Sequence, residues 1–427
     1  MKANKLVTLF VVAWAACLPR WALADGVIRD GVGAISTGRG GTNLGFADNG
    51  AILLDNPGAL VNVQGNGLVE ADVDTVITDI QYTDLKPNNV SAKILPMPLP
   101  EVAYIKKSRD GNWAWGIGAF APAGFGASYN FQNSFAGPVN YRSIGALGKI
   151  LPGVSYRVND RLSIGGTVGI AFGHVDLEGP FYLQSGPLKG VPTVIDLQGT
   201  NVAPTGSFGL QYKLSQRTTL GMTFTSMTRV HQNGDMKANI YGVAPFPIYS
   251  SFDAQTTINW PRSLSFGFMH NLSSRHRVAA DLIWYDWKNA FNQVGLALTN
   301  PSNPMVAALA GPAIIQSIPM NWHDTVSMRL GYEFLPSRYA TWRAGYVYHN
   351  SPVPNSTLNP YTDGVLTHAF SIGHSRRVKR AWLNASYQYS FSPTRVVGTS
   401  ALAGGDFSNS TFRAQAHWIN LGILVPF

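Results

Sequence analysis

From Arg161 onward the chain keeps placing an apolar residue at every second position. Leu162, Ile164, Val168, Ile170 and Phe172 fall on one side of such a stretch, with Arg161, Ser163, Thr167 and small residues on the other. A period of two marks an extended strand with one apolar and one polar face. It recurs at Phe208/Leu210/Tyr212, Leu220/Met222/Phe224, Leu264/Phe266/Phe268, Val326/Met328/Leu330/Tyr332/Phe334, Trp342/Ala344/Tyr346/Tyr348 and Leu383/Ala385/Tyr387/Tyr389. Sandwiches and barrels both alternate in this way, so the connections between strands must decide.

Fourteen strands are expected, near 68–83, 100–108, 113–122, 147–158, 161–177, 196–213, 217–231, 251–270, 275–287, 322–335, 339–349, 365–378, 380–391 and 408–427. Short links alternate with long ones. The short ones include Arg109-Asp110-Gly111-Asn112, Asn159-Asp160, Ser215-Gln216, Leu272-Ser273-Ser274 and Pro336-Ser337-Arg338. The long ones cover 84–99, 123–146, 178–195, 232–250, 288–321, 350–364 and 392–407. An even strand number with short periplasmic turns and long outer loops is the outer-membrane barrel pattern. Lipid offers backbone groups no hydrogen-bond partners, so a spanning sheet must close on itself.

Composition agrees. Charged residues are 13% of the chain, about half the ~25% usual in soluble domains. Yet no stretch beyond Leu18 is apolar for the roughly 18 residues that suggest a spanning helix. Trp113, Trp284, Tyr285, Trp287, Tyr348 and Tyr389 lie near strand ends, where interfacial girdles form. The final strand steps through Ile419, Leu421, Ile423 and Val425 to a terminal Phe427, which resembles the signature read by the outer-membrane assembly machinery.

The first 24 residues read as a secretion signal: Lys2 and Lys5, an apolar run Leu6–Leu18, then Ala22-Leu23-Ala24 before Asp25. Its removal takes away Lys2, Lys5 and Arg20, lowering the formal charge from +9 to +6. It also takes Cys17, the only cysteine, so neither a disulfide nor a thiolate metal site is expected. The remaining basic residues are scattered, densest at Arg376-Arg377 and Lys379-Arg380. No nucleic-acid-binding motif accompanies them.

Residues 25–66 are rich in Gly, Asn and Asp and too few for an independent core. Eight strands already just fill a barrel with side chains, so fourteen leave room inside for this piece as a hatch. The stretch Ser36-Thr37-Gly38-Arg39-Gly40-Gly41-Thr42 is followed by Asp55-Asn56-Pro57-Gly58-Ala59-Leu60. With Phe120-Ala121-Pro122-Ala123-Gly124-Phe125-Gly126, Leu151 to Gly165, and Pro319 to Thr325 continuing to Pro354, it resembles the FadL/TodX family of outer-membrane channels for hydrophobic compounds. The family's usual Asn-Pro-Ala is Asn56-Pro57-Gly58 here, which loosens the backbone at a hatch-seating position. The resemblance implies an all-β fold: a 14-stranded antiparallel transmembrane barrel over 67–427 with the hatch in its lumen, in the outer membrane of a Gram-negative bacterium. It also implies long-chain fatty acids or aromatic hydrocarbons as cargo, with lateral exit at a kinked third strand.

Site residues follow as expectations. Asn56, Pro57 and Gly58 gate the hatch, and Gly116 and Gly118 mark the kink, because strand glycines weaken pairing. Phe120, Phe125, Phe131 and Phe135, with Phe246 and Ile248, line the entry, unless these loops merely pack on one another. Met305 to Ala310 reads as a short helix. Arg329 or Arg343 either binds a carboxylate or pairs with Glu333. No lipase elbow, H-E-x-x-H or P-loop is present, and no cofactor or metal is expected. A single-chain barrel is expected, with lipid, lipopolysaccharide and the assembly machinery as its partners. The rival reading is a general diffusion porin, which requires an open lumen.

Overall fold

The computed structural model describes residues 27–85, 88–361, 366–405 and 407–427; the expected leader 1–24 lies outside them. Fourteen antiparallel strands close a barrel: β1 Gly67–Thr83, β2 Met97–Lys107, β3 Trp113–Asn133, β4 Gly137–Arg157, β5 Leu162–Tyr182, β6 Pro192–Lys213, then β7 in two pieces, Thr218–Thr225 and Thr228–Ile240. β8 is also broken, Ile248–Trp260 and Ser263–Asn271. There follow β9 His276–Tyr285, β10 Thr325–Ser337, β11 Ala340–His349, β12 His368–Val378, β13 Ala381–Phe391 and β14 Thr411–Pro426. Closure runs in register from Leu68↔Pro426 to Thr83↔Thr411. The broken strands are interrupted at Ser226-Met227 and at Pro261-Arg262, and at the second of these Pro261 removes a ladder donor.

Alternation sorts side chains between lipid and lumen. On β1, Val69 and Val73 face outward while Glu70, Asp72 and Asp74 are buried inside. On β14, Ile419, Leu421 and Ile423 face lipid and Asn420 faces in. The same parity turns Tyr285 inward with Asp281 and Ile283, and Trp287 is fully buried, so neither belongs to the expected girdle. Trp113, 49% exposed, does.

Several long outer links are really strand. The span 123–146 is the top of the β3–β4 hairpin, paired through Tyr129↔Tyr141 and Phe131↔Val139. Most of 232–250 is likewise β7 and β8, paired from Thr228↔Trp260 to Ile240↔Ile248. Within 288–321, an outer hairpin of Gln293–Thr299 and Ala313–Pro319 leans on β8, and Pro304–Ala310 is the expected helix. Residues 27–66 pack inside the barrel. They comprise a helical turn Gly33–Gly38, another at Ile52–Asp55 and a 3₁₀ turn Pro57–Asn62. Their Leu53, Leu60 and Val61 form one apolar core with Ile105, Ala114 and Leu151 of the wall.

Candidate functional site: a cavity between hatch and wall

The seat of the hatch is Asn56-Pro57-Gly58. Asn56 is fully buried, and its Nδ2 donates to the carbonyls of Leu44 (2.9 Å) and Leu210 (3.0 Å). Its Oδ1 accepts from the Gly58 N–H at 3.1 Å, which starts the 3₁₀ turn. Ser163 Oγ donates to the Gly58 carbonyl at 2.7 Å. A Cβ at position 58 would stand 2.7 Å from the Gly209 carbonyl and from Leu210 Cα. The glycine that departs from the family pattern is therefore what allows the turn to sit against β6.

Buried charges hold the rest of the hatch. Arg39 Nη2 lies 2.9 Å from Asp48 and its Nη1 3.1 Å from Glu333 of β10. Burial alone would lower the Arg39 guanidinium, but Asp48 and Glu333 outweigh it and hold the pKa above its usual value. For Asp30, burial works upward and is overcome chiefly by His349 and then Arg329, leaving the carboxyl below its usual range.

The wall is discontinuous beside the hatch. β2 and β3 pair from Lys107↔Ala114 only as far as Val102↔Ala119. Beyond this, β3 shifts register against β4 between Phe120 and Ala123, which face Lys149 and Leu147. The kink thus falls at Phe120-Ala121-Pro122-Ala123. Gly116 and Gly118 sit in an unbroken ladder, which corrects the expected position. The physical reason is Pro122, which has no N–H to give a ladder, and the Gly118 position is instead filled by the Phe120 ring and Leu53.

The hatch's first described residues cover that gap. Arg29 N–H donates to the Pro122 carbonyl, and Gly124 N–H to the Val27 carbonyl, each at 3.0 Å, bridging Ile28 to Ala123. The Arg29 side chain forms ion pairs with Asp74 of β1 and Glu101 of β2, donates to the Ala121 carbonyl at 3.0 Å, and lies over the Trp418 ring. One guanidinium therefore ties three strands to the plug.

Behind this bridge is a cavity of about 100 Å³ whose walls include Ala123, Leu147, Lys149, Trp260, Ile283 and Arg329. Its three acids are engaged between hatch and wall: Asp281 Oδ2 accepts from the Asn43 (2.7 Å) and Leu44 (3.1 Å) N–H groups, Asp55 from Asn43 Nδ2 (2.6 Å), and Asp30 lies 2.9 Å from His349 and accepts from Gln388 Nε2 at 2.9 Å. Its cations divide. Arg329 donates to the Asp30 carbonyl and, at 3.4 Å, to the Gly41 carbonyl and to Tyr285 Oη. Lys149, only 8% exposed, has neither a carboxylate nor a hydrogen-bond partner among the described residues. The indole N–H of Trp260 is also without an acceptor among the described residues. A buried polar group without a partner is expensive, so the Lys149 ammonium beside this cavity is suited to an anionic or hydrogen-bonding ligand.

The other expected residues form shells above the cavity. Phe120 packs in the hatch core, and Phe125 and Phe131 join an aromatic lid. There, Phe131 lies 4.6 Å from Tyr82 and 5.1 Å from Tyr141. Phe135 touches Tyr182 and Tyr241 in the outer turns. Ile248 is buried among outer apolar residues, whereas Phe246 is 80% exposed at the rim. Arg343 does not line the cavity; its Nε is 2.8 Å from Glu333, which also takes Arg39 and Arg277. Glu333 thus pairs with Arg343, not with Arg329. Sequence reasoning missed Lys149, Arg29 and Trp260. The signal for Lys149 was a lone cation in phase with Leu147 and Leu151 on the lumen face.

A closed fourteen-stranded barrel whose lumen holds a docked N-terminal segment defines an outer-membrane channel of Gram-negative bacteria rather than a soluble sandwich. The sequence from 15 to 418 matches the family described as outer membrane protein transport protein (OMPP1/FadL/TodX). The chain belongs to that family. It is 22% identical over 364 residues to the long-chain fatty acid transport protein of Escherichia coli, covering 78% of this chain and 75% of that protein. Its fold is similar to the Pseudomonas putida toluene transporter TodX (TM-score 0.80, 19% identity, 93% of this chain and 99% of that one). It is also similar to a Pseudomonas aeruginosa FadL homologue (TM-score 0.75, 18% identity, 94% and 100%).

Proposed function

We propose that this protein admits hydrophobic compounds carrying an anionic head, of the long-chain fatty-acid type, through the outer membrane. The observation that carries the reading is Lys149, buried and without a partner among the described residues, in a cavity whose walls combine apolar Leu147, Trp260 and Ile283 with Asp30, Asp55, Asp281 and Arg329, which are engaged at the hatch. A neutral hydrocarbon gives that ammonium nothing in return for its desolvation, whereas a carboxylate forms a charge-assisted bond. Cargo collects at the exposed apolar rim around Phe246, passes the aromatic lid, and seats its head at Lys149. Its way out is sideways, at the β2–β3 gap, once Val27–Arg29 lets go of β3 and the hatch seat at Asn56-Pro57-Gly58 yields. A lateral exit spares a greasy chain an aqueous passage.

The residues that fill the lumen speak against a general porin, which needs an open water path. The role is passage and not catalysis, by a single chain set among outer-membrane lipid and lipopolysaccharide and inserted through the β14 ladder ending at Phe427. The test is uptake of labelled oleate by a Gram-negative strain lacking its own fatty-acid transporter. Expression of this chain restores uptake under the proposal. Restored entry of a small sugar without oleate would replace it with the porin reading.

A further inference from the structure

The periplasmic end of the barrel carries a basic ring that passage through the lumen does not use. Each of the six short turns contributes an exposed cation: Arg109, Arg161, Arg217, Arg275, Arg338 and Lys379. Asp110 and Asp160 are the only acids in these turns, and Asp110 is occupied by Ser108 and Asn112. None of the six cations has an ion pair among the described residues. At the outer rim pairing is mixed: Arg142 is matched by Asp176 at 2.9 Å and Glu178 at 3.5 Å, whereas exposed Lys189 and Lys237 have no ion pair among the described residues.

Charge is concentrated at one arc of the ring. The β10–β11 and β12–β13 turns lie side by side, joined by the Arg377 N–H donating to the Tyr339 carbonyl at 2.8 Å. This gathers Arg338, Arg376, Arg377, Lys379 and Arg380, with no acid among them. Lys379 also holds a left-handed backbone, φ 55°. A Cβ crowds the following carbonyl there, which is why such positions favour glycine or asparagine. The β2–β3 turn does use glycine, Gly111 at φ 71°. The β12–β13 turn keeps a lysine against that preference.

Just above the ring is a belt of exposed aromatics, including Trp113, Trp115, Tyr156 and Trp342. Such a belt lies at headgroup level, which puts the turn cations at the phosphates of the periplasmic leaflet. From this arrangement we infer that the ring binds anionic phospholipid headgroups of that leaflet, most tightly at the Arg338/Arg376–Arg380 arc. A ring around the whole circumference fits an annulus of lipid; a docked protein would need only one patch. Basic clusters at a membrane surface are attracted to anionic lipid in this way, and the attraction weakens with salt.

The experiment is native mass spectrometry of the purified, signal-cleaved full barrel mixed with phosphatidylglycerol or phosphatidylethanolamine of identical acyl chains. Wild type should retain phosphatidylglycerol roughly fivefold better or more, and added salt should erode that preference. The R376Q/R377Q/K379Q/R380Q variant should fall to near parity, with folding checked by heat-modifiable mobility. If that variant does not fold, K379N keeps the turn, removes one charge and should still lower the preference. Equal retention of the two lipids by wild type, or a full preference in a folded variant, would overturn the inference. So would a preference that vanished only on loss of Arg142 at the opposite rim.

Discussion

Replacing Lys149 by methionine separates the proposed cargo from a neutral one. Methionine keeps the length of the stem and removes the charge. A net hydrogen bond to a charged group contributes about 1.5–3 kcal/mol, and each 1.4 kcal/mol is tenfold in affinity. Binding of a long-chain carboxylate should therefore weaken by about ten- to 150-fold on the same scale. The alcohol of equal chain length loses no charge pair and should change by less than about threefold, roughly the ~0.6 kcal/mol scale of RT. Without ligand the sign reverses. The ammonium is 8% exposed and has no partner among the described residues, so K149M should stabilise the empty barrel, because an uncompensated buried charge is costly. Trp260, in the cavity wall, reports occupancy by fluorescence. Equal losses for acid and alcohol, or none for either, would refute the assignment of Lys149 to the head group.

Three further outcomes follow from the hatch. Arg29→Ala strips the buried partner from Asp74 and Glu101, a class of change that costs about 3–5 kcal/mol; single-channel recording should show open events that wild type lacks, and a silent variant would count against the bridge. Gly58→Ala forces a Cβ to within 2.7 Å of the β6 backbone. Overpacking of this kind costs about 1–3 kcal/mol, so the hatch should become more sensitive to protease while the barrel stays folded. The Asp30 carboxyl is held below its usual range chiefly by His349, so, while that imidazole carries its proton, the contribution to hatch docking is present above the unfolded carboxylate value of about 3.9 and is lost as pH falls further. Conductance should accordingly remain closed at pH 5 and show openings only in stronger acid; opening already near pH 6 would contradict this.

Strand number and turns were legible because each short turn announces itself, as Asp110-Gly111 does, and because lipid enforces alternation on the outward face. Legibility faded above the membrane. There β7 and β8 continue through Gln232-Asn233-Gly234 and Ser250-Ser251, where no lipid selects apolar residues and the pattern reads as loop. The kink was misplaced because glycines are frequent in every strand, whereas the ladder ends where prolines gather, Pro122 on β3 and Pro98 and Pro100 on β2. The site itself was least legible. Lys149 looks like any polar lumen residue until the hatch encloses it, and Arg29 meets Asp74 and Glu101 from 45 and 72 residues away. Asn56 and Gly58 were readable as a motif, but the reason for glycine lay in β6, at Gly209 and Leu210.

The most direct measurement is the structure of the protein purified with a long-chain fatty acid. A carboxylate is expected within about 2.7–2.9 Å of Lys149 Nζ, with the chain running along Leu147, Trp260 and Ile283. Density for the fatty acid only at the outer rim, with Lys149 still unpartnered, would contradict it.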